Sequence, residues 1–319
     1  MSSSATSLLD RLRRHLPVLT RLTAAVVALA LWGPIATGPA VAEADAMPFG
    51  QGMLWKIEKA GAPTSYLLGT MHIADPRVVN LPAEANAALA ASEQAIFELI
   101  LEPSVRTQMA QAMVLSQGRT LETILGPELF QRSVEVAAEY GLPGQAIMVM
   151  KPWALVPIFS FPPEQLALLA SGHAPLDEKL QREAARLGKE LVGLETADEQ
   201  LRLFDDAPED VQVLMLKSVV EDRDRLRAQF DAMLADYLAR DLAGLYREML
   251  AQATAEEAGL MDHFEQDFVI ARNHRMAERL RPYLARTGSF VAVGALHLPG
   301  EQGILALLAG DGYSVSRVY

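Results

Sequence analysis

The sequence predicts an α/β protein whose central mixed sheet is assembled from its N- and C-terminal segments, with a large helical middle region. Three observations lead there. Short apolar, β-prone runs crowd roughly the first hundred and last thirty residues, with one more, "ELVGL", between them. The text from about 103 to 285 is mostly amphipathic and charge-rich, as solvated helices are. Two apolar runs, "YLLGTMH" (Tyr66–His72) and "FVAVGALH" (Phe290–His297), end in the same Gly-x-x-His.

The elements follow in order. Met53–Lys59 and Ser65–Thr70 flank a turn-like "AGAP" and read as a β-hairpin. "LPAEANAALAASE" starts a helix, with Pro82 in its first turn. "QAIFELI" (Gln94–Ile100) is a continuous apolar run around Glu98, as expected of a central strand buried on both faces. "KPWALVPIFSFPP" is apolar and broken by prolines, so it forms a packed turn or short helix. "APLDEKLQREAARLGK" is an amphipathic helix leading into the strand "ELVGLE". The chain closes on strand ("SFVAVGA"), helix ("EQGILALLAG") and strand ("YSVSRVY"). The order strand, Gly-x-x-His, "LP", helix occurs at both ends, as a weak internal duplication or convergence would give.

Residues 1–42 read as a signal peptide. Arg11, Arg13, Arg14 and Arg21 precede an apolar stretch, Leu22–Ala36, and "AVA" (Ala40–Ala42) is a small-x-small cleavage site. The apolar stretch falls short of the roughly 20 residues that span a bilayer comfortably, so an uncleaved anchor is the alternative. The expected product is an α/β domain over 43–319, periplasmic or secreted, with no stable membrane span after cleavage and a helical insertion or cap within about 103–285.

Composition excludes several classes. Half of the 319 residues are hydrophobic, so a packed globule is expected. Net charge is −12, which argues against nucleic acid as a partner. With no cysteine there is no disulfide, thiol nucleophile or thiolate metal site. No G-x-S-x-G elbow, Walker loop, H-E-x-x-H or helix-opening G-x-G-x-x-G is present.

The candidate chemistry is therefore that of imidazole and carboxylate. Each Gly-x-x-His sets a histidine, His72 or His297, just past a strand end, where ligands of α/β sheets bind. Glu98 is a carboxylate in apolar text, costly unless paired, hydrogen-bonded or metal-bound. Two histidines and one carboxylate suit a divalent ion such as Mn, Co, Zn or Fe. Such an ion could activate water against an amide or ester. Glu98 is then a ligand or a general base. Glu195, after the strand "LVGL", and Arg272-Asn273 in "ARNHRM" are further catalytic candidates; Arg272 could hold Glu98 or Glu195, or stabilise an oxyanion. Asp177 reads as a helix N-cap at least as well as a site residue. His173, His263 and His274 read as solvated.

With these residues in place the chain resembles the TraB/GumN family, bacterial relatives of the Tiki proteins. The resemblance rests on "WKIE", "YLLGTMH", Glu98 after its strand, "KPW", "LDEKL", "GLETADEQL", "RNHRM" and "VAVGALHLPGEQGILALLAGDGY", in that order. It implies an α/β fold of the erythromycin-esterase-like kind and a site on His72, His297 and Glu98 with Arg272-Asn273 nearby. Tiki relatives imply a metal-dependent protease acting on peptides. GumN relatives imply association with exopolysaccharide gene clusters, and TraB relatives with peptide pheromone shutdown. Many relatives carry a second acid two positions after the strand glutamate; here that position is Ile100, with Glu102 two further on. The expected function is an exported metal-dependent hydrolase, foremost a peptidase. The alternative is a non-catalytic peptide- or glycan-binding or accessory protein of envelope or exopolysaccharide biogenesis.

Overall fold

A computed structural model describes residues 47–116, 118–250 and 265–319. The expected signal peptide and His263 lie outside the described residues. The chain divides into two compact units.

One unit, Leu101–His173 with Ala197–Arg227, is helical in its described parts. Its centre is the proline-bounded helix Pro152–Ser160, every residue of which is buried. The preceding "KPW" is structural there: Lys151 Nζ and Trp153 Nε1 both donate to Asp205 Oδ1, at 2.6 and 2.9 Å.

The other unit comprises the described residues up to Ile100, Ala174–Thr196 and those of Ala228–Tyr319. It carries one six-stranded sheet: β1 Leu54–Glu58, β2 Ser65–Thr70, β3 Gln94–Phe97, β4 Glu190–Gly193, β5 Ser289–Gly294 and β6 Ser314–Arg317. Its helices include α1 Ala83–Ala91, α2 Leu176–Arg186, α3 Ala271–Leu284 and α4 Ile304–Gly310. The spatial order is β4-β3-β5-β2-β1-β6. β4, β3, β5 and β2 run parallel, whereas β1 is antiparallel to β2 and β6. The sheet is thus mixed and built from both ends of the chain, as the apolar runs predict. The continuous apolar text of β3 and β5 is buried throughout. Each fully buried Val, Ile or Phe there contributes about 1.5–3 kcal/mol over leaving it exposed.

Register fixes what meets at the strand ends. Thr70 pairs with Gly294 across β2 and β5, and Phe97 with Ala292 across β3 and β5. The residues that follow β2, β3 and β5 therefore emerge side by side at one edge of the sheet. They are His72, Glu98 and His297. Glu98 stands one residue beyond β3 rather than inside it, because the pairing with β5 stops at Phe97. Among the described residues no helix is long and apolar enough to cross a membrane.

Candidate active site

His72 is buried and hydrogen-bonded through Nδ1 to Asp177 Oδ2 at 2.5 Å. The other oxygen of Asp177 accepts from Thr70 Oγ1 at 2.6 Å. His297, also buried, follows β5 by a single 3₁₀ turn, Ala295–His297, and turns Nδ1 to Asn273 Oδ1 at 2.6 Å. The Nε2 atoms of both rings are buried and have no hydrogen-bond partner. Glu98 completes the cluster, with Oε1 3.7 Å from His297 Nε2.

The two glycines of the Gly-x-x-His pairs have a steric reason. A Cβ on Gly294 would lie 3.1 Å from Glu98 Oε1 and 3.7 Å from His72 Nε2, in the middle of the cluster. One on Gly69 would lie 2.9 Å from Leu298 Cδ1, where the turn after β5 crosses β2.

Behind this front stands an ion network. Glu98 Oε1 accepts from the Gly294 N–H at 2.5 Å, and its Oε2 accepts from Arg272 Nη2 at 2.6 Å. Arg272 is wholly buried in α3 and also donates from Nε and Nη2 to Glu195, at 3.1 and 2.7 Å, and from Nη1 to the Phe268 carbonyl at 3.2 Å. Glu195 takes a further bond from Arg275 Nη2 at 2.8 Å. Two carboxylates thus meet two guanidinium groups, and no buried charge is left uncompensated.

The electrostatics follow. Burial works against charge on Glu98, but Arg272 and the two histidines outweigh it and hold the carboxyl at about 2. Burial and the neighbouring Arg272 push His297 down to about 4, so its ring is neutral at physiological pH. Burial opposes charge on His72 as well, yet the Asp177 carboxylate more than offsets it and raises the imidazole. Burial likewise works to raise Asp177 and Glu195, but His72 and Arg272, respectively, draw them below the usual carboxylate range. Arg272, between two acids, is raised despite its burial.

All six candidates, His72, Glu98, Glu195, Arg272, Asn273 and His297, lie in this one cluster. Asp177 does not cap its helix: Pro175 holds that position in α2, and the aspartate serves His72 instead. The sequence signal for this was present. Asp177 lies on the buried face of α2 with Leu180, Gln181 and Ala184, where an unpartnered acid would be costly. Thr70 and the Gln302 carbonyl, which accepts from Asn273 Nδ2 at 2.9 Å, were not marked by any residue pattern. His173 and His274 are exposed, as expected.

Imidazole and carboxylate are the donor types that divalent ions take. Two buried imidazole nitrogens lack partners, an ionised carboxylate edge stands beside them, and each ring is anchored through its other nitrogen, as metal-bound histidines are. Among the described residues no three His, Asp or Glu side chains stand, as placed, in a group that could hold a metal ion.

Parallel strand ends that gather two imidazoles, a carboxylate and a buried arginine define an α/β protein with a His-His-Glu cluster at the edge of its sheet. The chain belongs to the TraB/PrgY/gumN family, which it matches over residues 53–317. It is similar to Metalloprotease TIKI2 of Danio rerio, 24% identical over 317 residues, covering 83% of this chain and 60% of that protein. Metalloprotease TIKI1 of Homo sapiens is 22% identical over 315 residues, covering 83% of this chain and 61% of that protein. The chain spans about three-fifths of the length of these relatives. No solved structure matches it.

Proposed function

We propose that this chain is an exported metal-dependent hydrolase, foremost a peptidase, acting in the periplasm or outside the cell. The observation that carries this reading is the pair of buried, partnerless Nε2 atoms of His72 and His297 beside the Glu98 carboxylate. The naming of the TIKI relatives as metalloproteases supports it, and a peptide is the substrate class that fits those names.

In this reading His72, His297 and Glu98 hold one divalent ion, which would be Mn, Co, Zn or Fe. When bound, that ion supplies Lewis acidity toward an amide or ester carbonyl. Glu98 acts as an anionic ligand rather than a proton carrier, because its carboxyl is held at about 2. Arg272 and Glu195 keep that carboxylate in place, since the guanidinium is already committed to Glu98, Glu195 and the Phe268 carbonyl. Asn273 and Asp177 orient the two imidazoles.

A second reading, a binding or accessory protein without turnover, draws on the same burial. His72, Glu98, Glu195, Arg272 and His297 are all buried, and Arg272 and the two histidines hold the Glu98 carboxyl below its ordinary range. Metal analysis of the purified mature chain, followed by peptide hydrolysis assays with Mn, Co or Zn, separates the two. Metal with turnover that is lost in His72→Ala supports the peptidase. Metal without turnover on any peptide supports the binding protein. Metal content unchanged in the His72→Ala/His297→Ala double variant overturns the ligand assignment.

A further inference from the structure

We propose that the main-chain carbonyl of Gln302, in the turn after the second Gly-x-x-His, sets the tautomer of His297 through Asn273. The consequence for metal binding rests on the reading above; the tautomer itself does not.

A carbonyl oxygen only accepts. Asn273 Nδ2 lies 2.9 Å from Gln302 O, which fixes the amide with its nitrogen toward the turn. A flipped amide would set oxygen against oxygen. Asn273 Oδ1 therefore faces His297 Nδ1, at 2.6 Å. An amide oxygen also only accepts, so Nδ1 carries the proton and Nε2 keeps its lone pair. That lone pair is the one beside Glu98. In the other tautomer an N–H would point at the Glu98 carboxylate, and the nitrogen would be lost as a donor to any cation. His72 has its Nδ1 proton held differently, against an ionised carboxylate that accepts from both Thr70 and the ring. One imidazole is thus set by a charge, the other by a neutral relay running out to a turn.

The turn is built to hold still. The Gly300 N–H donates to the Pro48 carbonyl at 2.8 Å, and the Gly303 N–H to the Gly300 carbonyl at 3.0 Å. A Cβ on Gly303 would lie 2.3 Å from the carbonyl oxygens of both Leu298 and Pro299, so Gly303→Ala must displace the turn that carries the relay. The Gln302 side chain has a separate role, bonding His274 Nε2 through Oε1 at 2.7 Å.

The test is two-bond ¹H–¹⁵N spectroscopy of the ¹⁵N-histidine-labelled full chain, metal-free, with His72 as internal reference. Wild type is expected to show His297 protonated on Nδ1. Gln302→Ala, which keeps the main-chain carbonyl, leaves that unchanged. Asn273→Asp loses the donor to the Gln302 carbonyl but can offer Nδ1 only an acceptor, so Nδ1 stays protonated although the relay is cut. Asn273→Ala and Gly303→Ala shift His297 toward the Nε2-protonated form without altering His72. An Nε2-protonated His297 in wild type, or an unmoved tautomer in both Asn273→Ala and Gly303→Ala, overturns the proposal. Either variant suffices should the other fail to fold. Calorimetric titration with Zn or Mn then reads the site: Asn273→Ala is expected to bind about 10–100-fold more weakly. A shifted tautomer in a protein that binds no metal even as wild type would keep the relay and discard the metal reading.

Discussion

His297 and Glu98 come from strands at opposite ends of the chain, yet His297 Nε2 stands 3.7 Å from Glu98 Oε1. β5 runs parallel to β3 with Phe97 opposite Ala292, and this pairing, with the 3₁₀ turn after β5, brings them together. The cluster is thus a property of sheet register, and its predictions concern what each neighbour contributes.

Replacing either imidazole should cost metal affinity by roughly 100-fold or more, beyond the 10–100-fold typical of an outer partner. Zinc or manganese titration of His72→Ala and His297→Ala measures this. Asp177→Asn, which leaves the ligand itself in place, should fall inside the smaller range.

Gly294→Ala separates site from scaffold. Gly294 has φ −51 and ψ 136, which alanine adopts without backbone strain, so the cost to folding is the crowding of Glu98 Oε1 by the new methyl, about 1–3 kcal/mol. The new methyl would occupy the space between Glu98 Oε1 and His72 Nε2, and metal binding should be abolished. Denaturant unfolding and metal titration on one preparation give both numbers. A variant that still binds metal as wild type does would show that the ion sits elsewhere.

Arg272→Met should be among the most destabilising changes in the sheet-bearing unit. It leaves buried Glu98 with only the Gly294 N–H and the nearby His297, and Glu195 with only Arg275, and breaking a buried pair costs about 3–5 kcal/mol. Arg272→Lys should recover little, because an ammonium cannot span two carboxylates and a carbonyl with the planar fork of guanidinium. Urea melts report both. A near-wild-type Lys variant would mean that charge alone suffices.

Away from the site, Asp236 gives a pH prediction. Partial burial, with Asp241 and Glu248 nearby, pushes its carboxyl up to about 6. The folded pKa exceeds the unfolded one, so the folded state binds the extra proton. Stability is then lost as pH rises from 3.8 through about 6. Asp236→Asn should be more stable than wild type at pH 7, by about 0.5–1 kcal/mol after solvent screening, with the advantage vanishing near pH 4. Unfolding curves at the two pH values decide it; an equal gain at both would assign the effect to something other than ionisation.

Much of this was legible in the sequence. Apolar runs ending in glycine and histidine mark strand ends, and an acid in apolar text marks a group needing partners. Such signals marked His72, His297, Glu98 and Glu195 as candidates, whereas Arg272 was singled out only within "ARNHRM". Asp177 was visible only as an ambiguity, since an acid in a first helical turn is commonly a cap. Which face of α2 it occupies depends on the helix's packing. The Gln302 carbonyl could not be read at all: every residue has one, and only the path of the turn sets it against Asn273. A helical insertion or cap within about 103–285 was expected, but a boundary at Arg227 was hidden, because the long middle helices share one composition on both sides of it.

The placement of β5 between β3 and β2 has a consequence for biosynthesis. A growing polypeptide that has not yet delivered Ser289–Gly294 holds β2 and β3 with their facing edges bare. Such edges invite pairing with other chains. Until Ser289–Gly294 is delivered those facing edges stay open to other chains, and joining the two halves of the sheet means inserting a later strand between two earlier ones.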